Sequence, residues 1–156
     1  MAKIFIAGVG MTQMGKLLDR SVKSLTAEAV GEALGDAGAT TSDLQAAYFS
    51  NATQGHMEGQ EMIRGEIALR DMGVEEIPVV NVENACASGA TAFNLAVQYL
   101  KAGEGDVSLA VGVEKMYSTD RERMFSVFDA AWDVATVEEN TDKLLALGQG
   151  FPVPPG

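Results

Sequence analysis

The sequence predicts a layered α/β fold in which the strands pair in parallel. Short apolar runs rich in β-branched residues alternate along the chain with segments whose apolar positions recur every three or four residues. Strands separated by helices of this length pair in parallel through right-handed crossovers. The length of 156 residues fits one domain, and a hydrophobic content of 47% with 17 glycines is typical of a globular protein.

The first three predicted elements are a strand, a helix and a strand. Lys3–Val9 is a β-branched and apolar run that ends among glycines, which predicts a buried strand leading into a loop. Ser24–Ala37 carries one apolar helical face, with Ser24 as the N-cap and Gly38 as the residue that ends the helix. Leu44–Ser50 predicts a second strand.

The following elements repeat this order and lead to a turn of small residues. Asn51–Gln60 is a polar, glycine-bearing loop, and Glu61–Met72 predicts a second helix. Ile77–Val82 predicts a third strand, because its proline lies near the start, where a missing ladder donor is tolerated. The turn Glu83–Gly89 opens a third helix that extends through Leu100, with Gly103 as its expected stop.

One more strand is predicted before the character of the chain changes. Asp106–Val113 is the fourth predicted strand, whereas residues 118–140 mix charged and aromatic side chains and carry no clean strand. Residues 150–156 are predicted to form a proline-rich loop, and four strands with three helices leave much of a parallel sheet uncovered. We therefore expect an incomplete α/β domain in residues 1–117, with residues 118–156 beginning an inserted loop region of a truncated chain.

Charge and composition exclude several functions. The formal net charge of −11, from 22 acidic and 11 basic residues, argues against binding to nucleic acid or to anionic membrane surfaces. No apolar run approaches the ~18–20 residues of a membrane span, and the N-terminus lacks the apolar stretch of a secretory signal. One cysteine cannot form an internal disulfide, and one histidine is too few to complete a zinc site with it. We expect a cytoplasmic protein without a bound metal.

Cys86 is the main candidate for chemistry. It lies between an apolar strand and a predicted helix, and a helix N-terminus presents unpaired N–H groups and partial positive charge that favour a thiolate. A thiolate is a nucleophile for acyl transfer, and the same N–H groups can hold an oxyanion. From position alone, the alternative stays open that this cysteine is a small core residue.

Five further segments of the sequence follow one another in a recognisable order: Ile6–Thr12, Ala33–Gly38, Gln54–Arg64, Val80–Ala90 and Gly112–Ser118. Together they resemble the thiolase family, especially the branch similar to the thiolase domain of sterol carrier protein x. The Gly112–Ser118 segment departs from the family pattern, because Val113 replaces a glycine and Tyr117 is inserted before the serine.

The resemblance implies an acyltransferase that acts on acyl-CoA thioesters, with Cys86 as nucleophile and acyl carrier. It implies half of a duplicated fold, a βαβαβαββ unit with a mixed, mostly parallel sheet between helical layers. Coenzyme A would be a substrate or product, with no tightly bound cofactor. It also implies a homodimer or tetramer with Ile77–Val82 near a dimer seam, and a small acyl-binding or zinc-containing partner protein. The family's catalytic histidine and second base come from its C-terminal half, and His56 matches neither position.

Residues around Cys86 are candidates for binding substrate. Asn84, Ser88 and Gly89 are predicted to contact the thioester or support the oxyanion. For Asn84, an ordinary turn role, in which the side chain bonds to nearby backbone, remains equally open.

Other polar residues have functional and structural alternatives. For Glu83 the alternatives are a general base and a partly exposed member of an ion pair. For His56 they are a residue near the active-site mouth or dimer seam and a solvated loop histidine. Glu114 matches the family motif and is expected to be a buried carboxylate that ties loops together. Arg121 and Arg123 would meet coenzyme A phosphates or form a solvated charge cluster with their acidic neighbours.

Two other functions remain open at this stage. A ketosynthase shares the fold and a similar cysteine turn but takes substrates on acyl carrier protein. A non-catalytic, thiolase-like subunit would bind acyl-CoA or a partner chain without turnover. The sequence does not determine acyl chain length or the direction of the reaction.

Overall fold

The computed structural model describes residues 3–150, which form a three-stranded sheet flanked by helices. The strands of the described chain are β1 (Ala46–Ser50), β2 (Val79–Val82) and β3 (Ser108–Gly112). The α-helices in the same range are α1 (Val22–Ala37), α2 (Gln54–Glu58), α3 (Arg64–Arg70), α4 (Ser88–Ala102), α5 (Arg121–Ser126) and α6 (Val137–Leu147). Between residues 3 and 150, no helix combines the length and the apolar character that a membrane crossing requires.

The sheet has the strand order β2-β1-β3, and both pairings are parallel. Ser50, at the end of β1, is in register with Val82 of β2 and with Gly112 of β3. The predicted α/β class and the parallel crossovers are therefore confirmed, and the carboxyl ends of the three strands lie side by side.

One face of the sheet packs against α1 and α3. Ala47 and Phe49 are fully buried on this face and join Val111 in a cluster with Leu25 of α1 and Leu69 of α3. These side chains come from alternate strand positions, as expected for a strand that buries two faces.

The opposite face packs against α4. Tyr48 of β1 meets Tyr99 of α4 edge to face, with ring centroids 6.4 Å apart. The Ser108 hydroxyl donates to the carbonyl of Ala96, 3.1 Å away. With helices on both faces, the parallel sheet has the two-sided cover that such sheets need.

Helix ends follow the predicted glycines, but one start differs. Gly38 and Gly103 end α1 and α4 with φ of 64° and 75°, in the left-handed region that glycine enters without steric cost. Helix α1, however, begins at Val22 with Ser21 as its N-cap. Ser24 is the partner residue of this cap, because its hydroxyl accepts the Ser21 N–H while its own N–H donates to Ser21 Oγ.

The predicted first strand, Lys3–Val9, is wrong for the described structure. This segment has no strand neighbour and lies against α1, where the N–H groups of Val9 and Met11 donate to the carboxylates of Asp36 and Glu32. A Cβ at Gly8 would collide with the α1 backbone, so glycine permits the close approach. A strand is defined by pairing with a neighbour, which the local sequence pattern does not supply.

Three other regions differ from the pattern-based prediction. The predicted loop Asn51–Gln60 contains α2, and the helix predicted over Glu61–Met72 spans only Arg64–Arg70, since Ile63 before it is left-handed with φ of 47°. Only one strand follows α4 in the described chain, whereas the βαβαβαββ unit implied by the resemblance has two. Residues 118–140 contain no strand, as predicted, but the chain from 118 to 150 includes α5 and α6. The predicted terminal loop begins at Gly150, and residues 151–156 lie outside the described residues.

Candidate active site

The loops at the carboxyl edge of the sheet bring the candidate residues into one region. Because β1, β2 and β3 are parallel and end in register, the segments after Ser50, Val82 and Gly112 all leave from the same edge. In open α/β sheets, ligands bind outside this edge. The region therefore includes the segment with Cys86, the Asn51 loop and the Glu114 segment.

Cys86 lies in a single 3-10 turn, Ala85–Ala87, that connects β2 to α4, and it is exposed. Ala85 has a φ of 45°, which is left-handed backbone and is sterically unfavourable for a residue with a Cβ. Helix α4 begins directly after this turn, at Ser88, so the thiol is next to the positive end of a 15-residue helix. The sequence prediction of a strand–turn–helix junction at this cysteine is confirmed.

Hydrogen bonds from Ser88 hold the residues before Cys86. Its hydroxyl accepts the N–H of Asn84 at 2.8 Å and donates to the carbonyl of Ala85 at 2.7 Å. Ser88 is 5% exposed. In this structure Ser88 supports the turn, although the sequence suggested it as a substrate-binding residue.

Asn84 is also part of the turn. Its side-chain amide donates to Thr91 Oγ1 at 3.0 Å, and that hydroxyl donates to the carbonyl of Ala87 at 3.0 Å. Glu83 accepts the N–H of Ala85 at 2.6 Å and, between residues 3 and 150, is in no ion pair. Thr91 was not predicted from the sequence, where its only signal is a place in the predicted helix, seven residues after Asn84.

Most N–H groups of the turn are already bonded within it. Those of Asn84, Ala85, Ala87 and Ser88 donate to Ser88 Oγ, Glu83 Oε1, Asn84 O and Ala85 O. Gly89 is exposed, and a Cβ there would meet only Ser50 Oγ, at 3.9 Å. A carbonyl oxygen that approaches this turn thus has fewer backbone donors than the sequence alone suggested.

Asn51 and Arg64 connect two neighbouring loops, and neither residue was predicted from the sequence to lie in the site. The buried Asn51 amide donates to the carbonyl of Val113 at 2.6 Å, which joins the ends of β1 and β3. Arg64 Nη1 donates to Asn51 O and Oδ1 at 2.8 and 3.0 Å, and Arg64 Nε donates to Gln60 O at 3.0 Å. An asparagine directly after a buried strand was the available signal.

Glu114 ties loops together as expected, but it is exposed rather than buried. Its carboxylate accepts the N–H of Ala52 and the hydroxyl of Thr53, and it accepts the N–H of Thr53 at 3.2 Å. It therefore connects the segment after β3 to the segment after β1 while facing solvent.

His56 of α2 contacts α5 through Ser126 and Arg123. His56 is exposed in α2, and its Nε2 lies 2.9 Å from Ser126 Oγ. Arg123 donates from Nε and Nη2 to the His56 carbonyl, at 3.2 and 3.1 Å. Arg121 lies 6.0 Å from the ring centroid of Phe125. The contacts of His56 and Arg123 attach α5 to α2, whereas the Arg121 contact lies within α5. They favour the structural interpretation of Arg123.

Two cavities of the described chain lie beside segments that leave the carboxyl edge, and Cys86 lines neither of them. The larger, about 480 Å³, lies between residues 10–17, α1 and residues 112–117. The smaller, about 140 Å³, lies between β1, β2 and residues 61–64. Over residues 3–150, no group of three or more histidine, cysteine or acidic side chains is arranged to hold a metal.

Sequence comparison identifies relatives over most of the chain. Acetyl-CoA acetyltransferase of Methanocaldococcus jannaschii is 41% identical over 116 residues, which cover 74% of this chain and 29% of the relative. Sterol carrier protein 2 of Gallus gallus is 34% identical over 116 residues, or 73% of this chain and 20% of the relative. The chain thus spans less than a third of the length of either relative.

Solved structures show the same architecture. 3-Oxoacyl-(acyl carrier protein) synthase III of Xanthomonas oryzae superposes with a TM-score of 0.59 at 21% identity, over 84% of this chain and 37% of the other. At that identity, the similarity supports the fold alone. The family model for the thiolase N-terminal domain matches residues 4–145. This chain belongs to the thiolase family, through its N-terminal domain.

Proposed function

We propose that this chain supplies the nucleophile of an acyltransferase that acts on acyl-CoA thioesters, and that Cys86 accepts the acyl group. The observation that carries the proposal is an exposed thiol on a hydrogen-bonded turn, at the N-terminus of a long helix and the carboxyl edge of a parallel sheet. Membership of the thiolase family and a relative named acetyl-CoA acetyltransferase support this substrate class.

In the proposed first step, the Cys86 thiolate attacks the thioester carbonyl carbon and forms a new S–C bond. The thiol proton passes to a base, and negative charge develops on the carbonyl oxygen. The bond from that carbon to the sulfur of coenzyme A then breaks. Coenzyme A leaves as a thiolate, which takes up a proton, and the acyl group remains on Cys86.

In the second step, another nucleophile takes the acyl group from Cys86 and releases the thiolate. In condensation this nucleophile is the α-carbanion of a second acyl-CoA, which a base has deprotonated, and the new C–C bond gives a 3-oxoacyl-CoA. Thiolytic cleavage runs in reverse: the Cys86 thiolate attacks the 3-oxo carbon, the bond between carbons 2 and 3 breaks, and an acyl-CoA leaves as its α-carbanion and takes up a proton. The thiolate of coenzyme A then takes the remaining acyl group from Cys86. Since four N–H groups of the turn are already bonded, oxyanion donors from this turn would be the amides of Cys86 and Gly89. Asn84 and Ser88 would then support catalysis through the shape of the turn.

The base in this proposal comes from outside the chain. The single histidine of the sequence, His56, bonds to Ser126 Oγ through its Nε2 and matches neither base position of the thiolase family. We place the catalytic histidine and the second base on a C-terminal half or on a partner chain. General acid–base catalysis typically contributes about 10²–10⁴-fold, so residues 1–156 alone should turn over poorly.

The same proposal includes a subunit interface along β2. Within the described chain, β2 pairs only with β1, and Val80 is partly exposed. A free strand edge accepts another strand. A homodimer or tetramer joined there, with or without a small acyl-binding or zinc-containing partner, would appear by light scattering at a multiple of the protomer mass. A lone monomer in solution would contradict the proposed interface along β2.

The direct test is covalent trapping on the whole natural protein, expressed with any partner chain. The protein is mixed with acetyl-CoA, quenched in acid and digested, and the peptide with Cys86 is weighed. An acetyl increment on that peptide is expected in the wild type and in the control variant Ser42→Ala. That substitution removes a hydroxyl from an exposed turn before β1, away from the carboxyl edge of the sheet. The increment should be absent in Cys86→Ala.

Other outcomes would replace the proposal. An acetyl increment that persists in Cys86→Ala would exclude this nucleophile. Transfer only from acyl carrier protein would favour a ketosynthase. No adduct from either donor, together with intact binding of a partner chain, would favour a non-catalytic subunit.

A further inference from the structure

Thr91 spans Cys86 by hydrogen bonds to residues on both sides of it. Its Oγ1 accepts the side-chain amide of Asn84, two residues before the cysteine, at 3.0 Å. The same hydroxyl donates to the carbonyl of Ala87, the residue after the cysteine, also at 3.0 Å. We propose that Thr91 is a positioning residue that sets the direction of the Cys86 thiol. This inference rests on the proposed function of Cys86.

The turn needs such support because part of its backbone is unfavourable. Ala85 is left-handed, with φ of 45°, although it has a Cβ. Such conformations persist only where surrounding contacts hold them. Ser88 holds the residues before the cysteine, from Asn84 N to Ala85 O. Of the Ser88 and Thr91 hydroxyls, only that of Thr91 also bonds to a residue after Cys86.

Little packing substitutes for these hydrogen bonds. Residues 83–87 are all exposed, so neighbouring side chains do not confine the Cys86 backbone. Removing the Thr91 hydroxyl would free the Asn84 amide and take one bond from the Ala87 carbonyl, which keeps the first backbone bond of α4. Ala87 follows Cys86 directly, so a change in the backbone φ and ψ angles of these two residues changes the direction of the thiol.

Thiol direction matters for acyl transfer because the reaction needs close and aligned atoms. The sulfur and the carbonyl carbon must approach to ~3–3.5 Å, and a misplacement of about 1 Å can cost roughly 10²-fold. Because Ser88 still holds the turn, loss of the Thr91 hydroxyl should displace the thiol by less than about 1 Å. We therefore expect the rate constant for acylation of Cys86 to fall about 10-fold in Thr91→Val.

Thr141 offers a matched control. Its hydroxyl bonds to the carbonyl four residues earlier, Val137 O, at 2.8 Å, as Thr91 bonds to Ala87 O. It lies in α6 and makes no hydrogen bond to the cysteine turn. Thr141→Val therefore removes the same local bond from a helix without touching residues 83–91.

The experiment measures acetylation of Cys86 by acetyl-CoA in the whole natural protein, by rapid quench and mass spectrometry. Thr91→Val should lower the rate constant at saturating acetyl-CoA and leave the half-saturating concentration unchanged. Thr91→Ser, which keeps the hydroxyl, should restore the rate. Thr141→Val should match the wild type. Alkylation of Cys86 by iodoacetamide, which needs no fixed direction, should stay within twofold in all variants.

The outcomes separate this inference from the proposed function. If wild-type Cys86 is acetylated but Thr91→Val reacts as fast as Thr141→Val, the proposed function stands and the role of Thr91 is refuted. A Thr91→Ser variant as slow as Thr91→Val, or an equal loss of iodoacetamide reaction, would also refute positioning by the hydroxyl. Absence of acetylation in the wild type would overturn both.

Discussion

Replacing Gly65 by alanine tests how closely α3 packs on the sheet. A Cβ at Gly65 would lie 2.5 Å from Phe49 Cβ and 2.9 Å from Val79 Cγ1, whereas carbons in contact stay ~3.5–4.0 Å apart. Phe49 Cβ is attached to the central strand and Phe49 is 0% exposed, so rotation of its side chain gives no relief. Helix α3 would have to move off the sheet by roughly 1 Å.

The magnitude follows from two opposing effects. Overpacking of a core contact costs about 1–3 kcal/mol, and alanine in place of helical glycine stabilises by up to about 1 kcal/mol. The free energy of unfolding should therefore fall by about 1 kcal/mol in Gly65→Ala. Gly35 in α1 is the matched control, because a Cβ there meets nothing within 4 Å. Gly35→Ala should raise the free energy of unfolding by about 0.5–1 kcal/mol.

Urea unfolding followed by far-ultraviolet circular dichroism measures both variants. The midpoint should move to lower urea in Gly65→Ala and to higher urea in Gly35→Ala, with unchanged slopes. If Gly65→Ala is as stable as the wild type or more stable, α3 does not pack on Phe49 in this way, and the reasoning is refuted.

Two further substitutions test an acidic cap and a loop contact. The backbone N–H and the hydroxyl of Thr40 hold the pKa of the Asp43 carboxyl below its ordinary value of 3.8. A lowered folded-state pKa stabilises the fold above the ordinary value, and this contribution is lost as pH falls through the lowered pKa. Asp43→Asn should therefore flatten the acid side of the curve of stability against pH, and curves of equal slope would contradict this. Glu114→Gln removes a charged acceptor from the N–H groups of Ala52 and Thr53. Hydrogen exchange of both amides, measured by mass spectrometry, should therefore become about tenfold faster. Unchanged exchange would show that the carboxylate does not hold this loop.

Local sequence patterns predicted much of the fold. Strands appear inside the predicted runs Leu44–Ser50, Ile77–Val82 and Asp106–Val113, because short β-branched runs between glycine-containing turns fit a buried parallel strand. Gly38 and Gly103 end their helices as predicted, since the left-handed cap is a property of a single residue. The cysteine turn was also predicted, as a strand, a turn of small residues around Cys86 and then a helix.

Contacts between distant residues were not predictable in the same way. Lys3–Val9 has the composition of a strand but lies on α1, because pairing depends on a neighbouring strand and not on the segment itself. Asn51 joins Val113 across 62 residues of sequence, and only the parallel register brings them together.

The sequence by itself determined the α/β class, the thiolase resemblance and the position of Cys86 between a strand and a helix, since each depends on residues close together in the chain. The tertiary structure decided which hydroxyls support the turn, how Glu114 reaches the β1 loop and where the N-terminal segment lies. The physical reason is that a hydrogen bond needs its partners within about 3 Å. Only the packed sheet and helices set those distances.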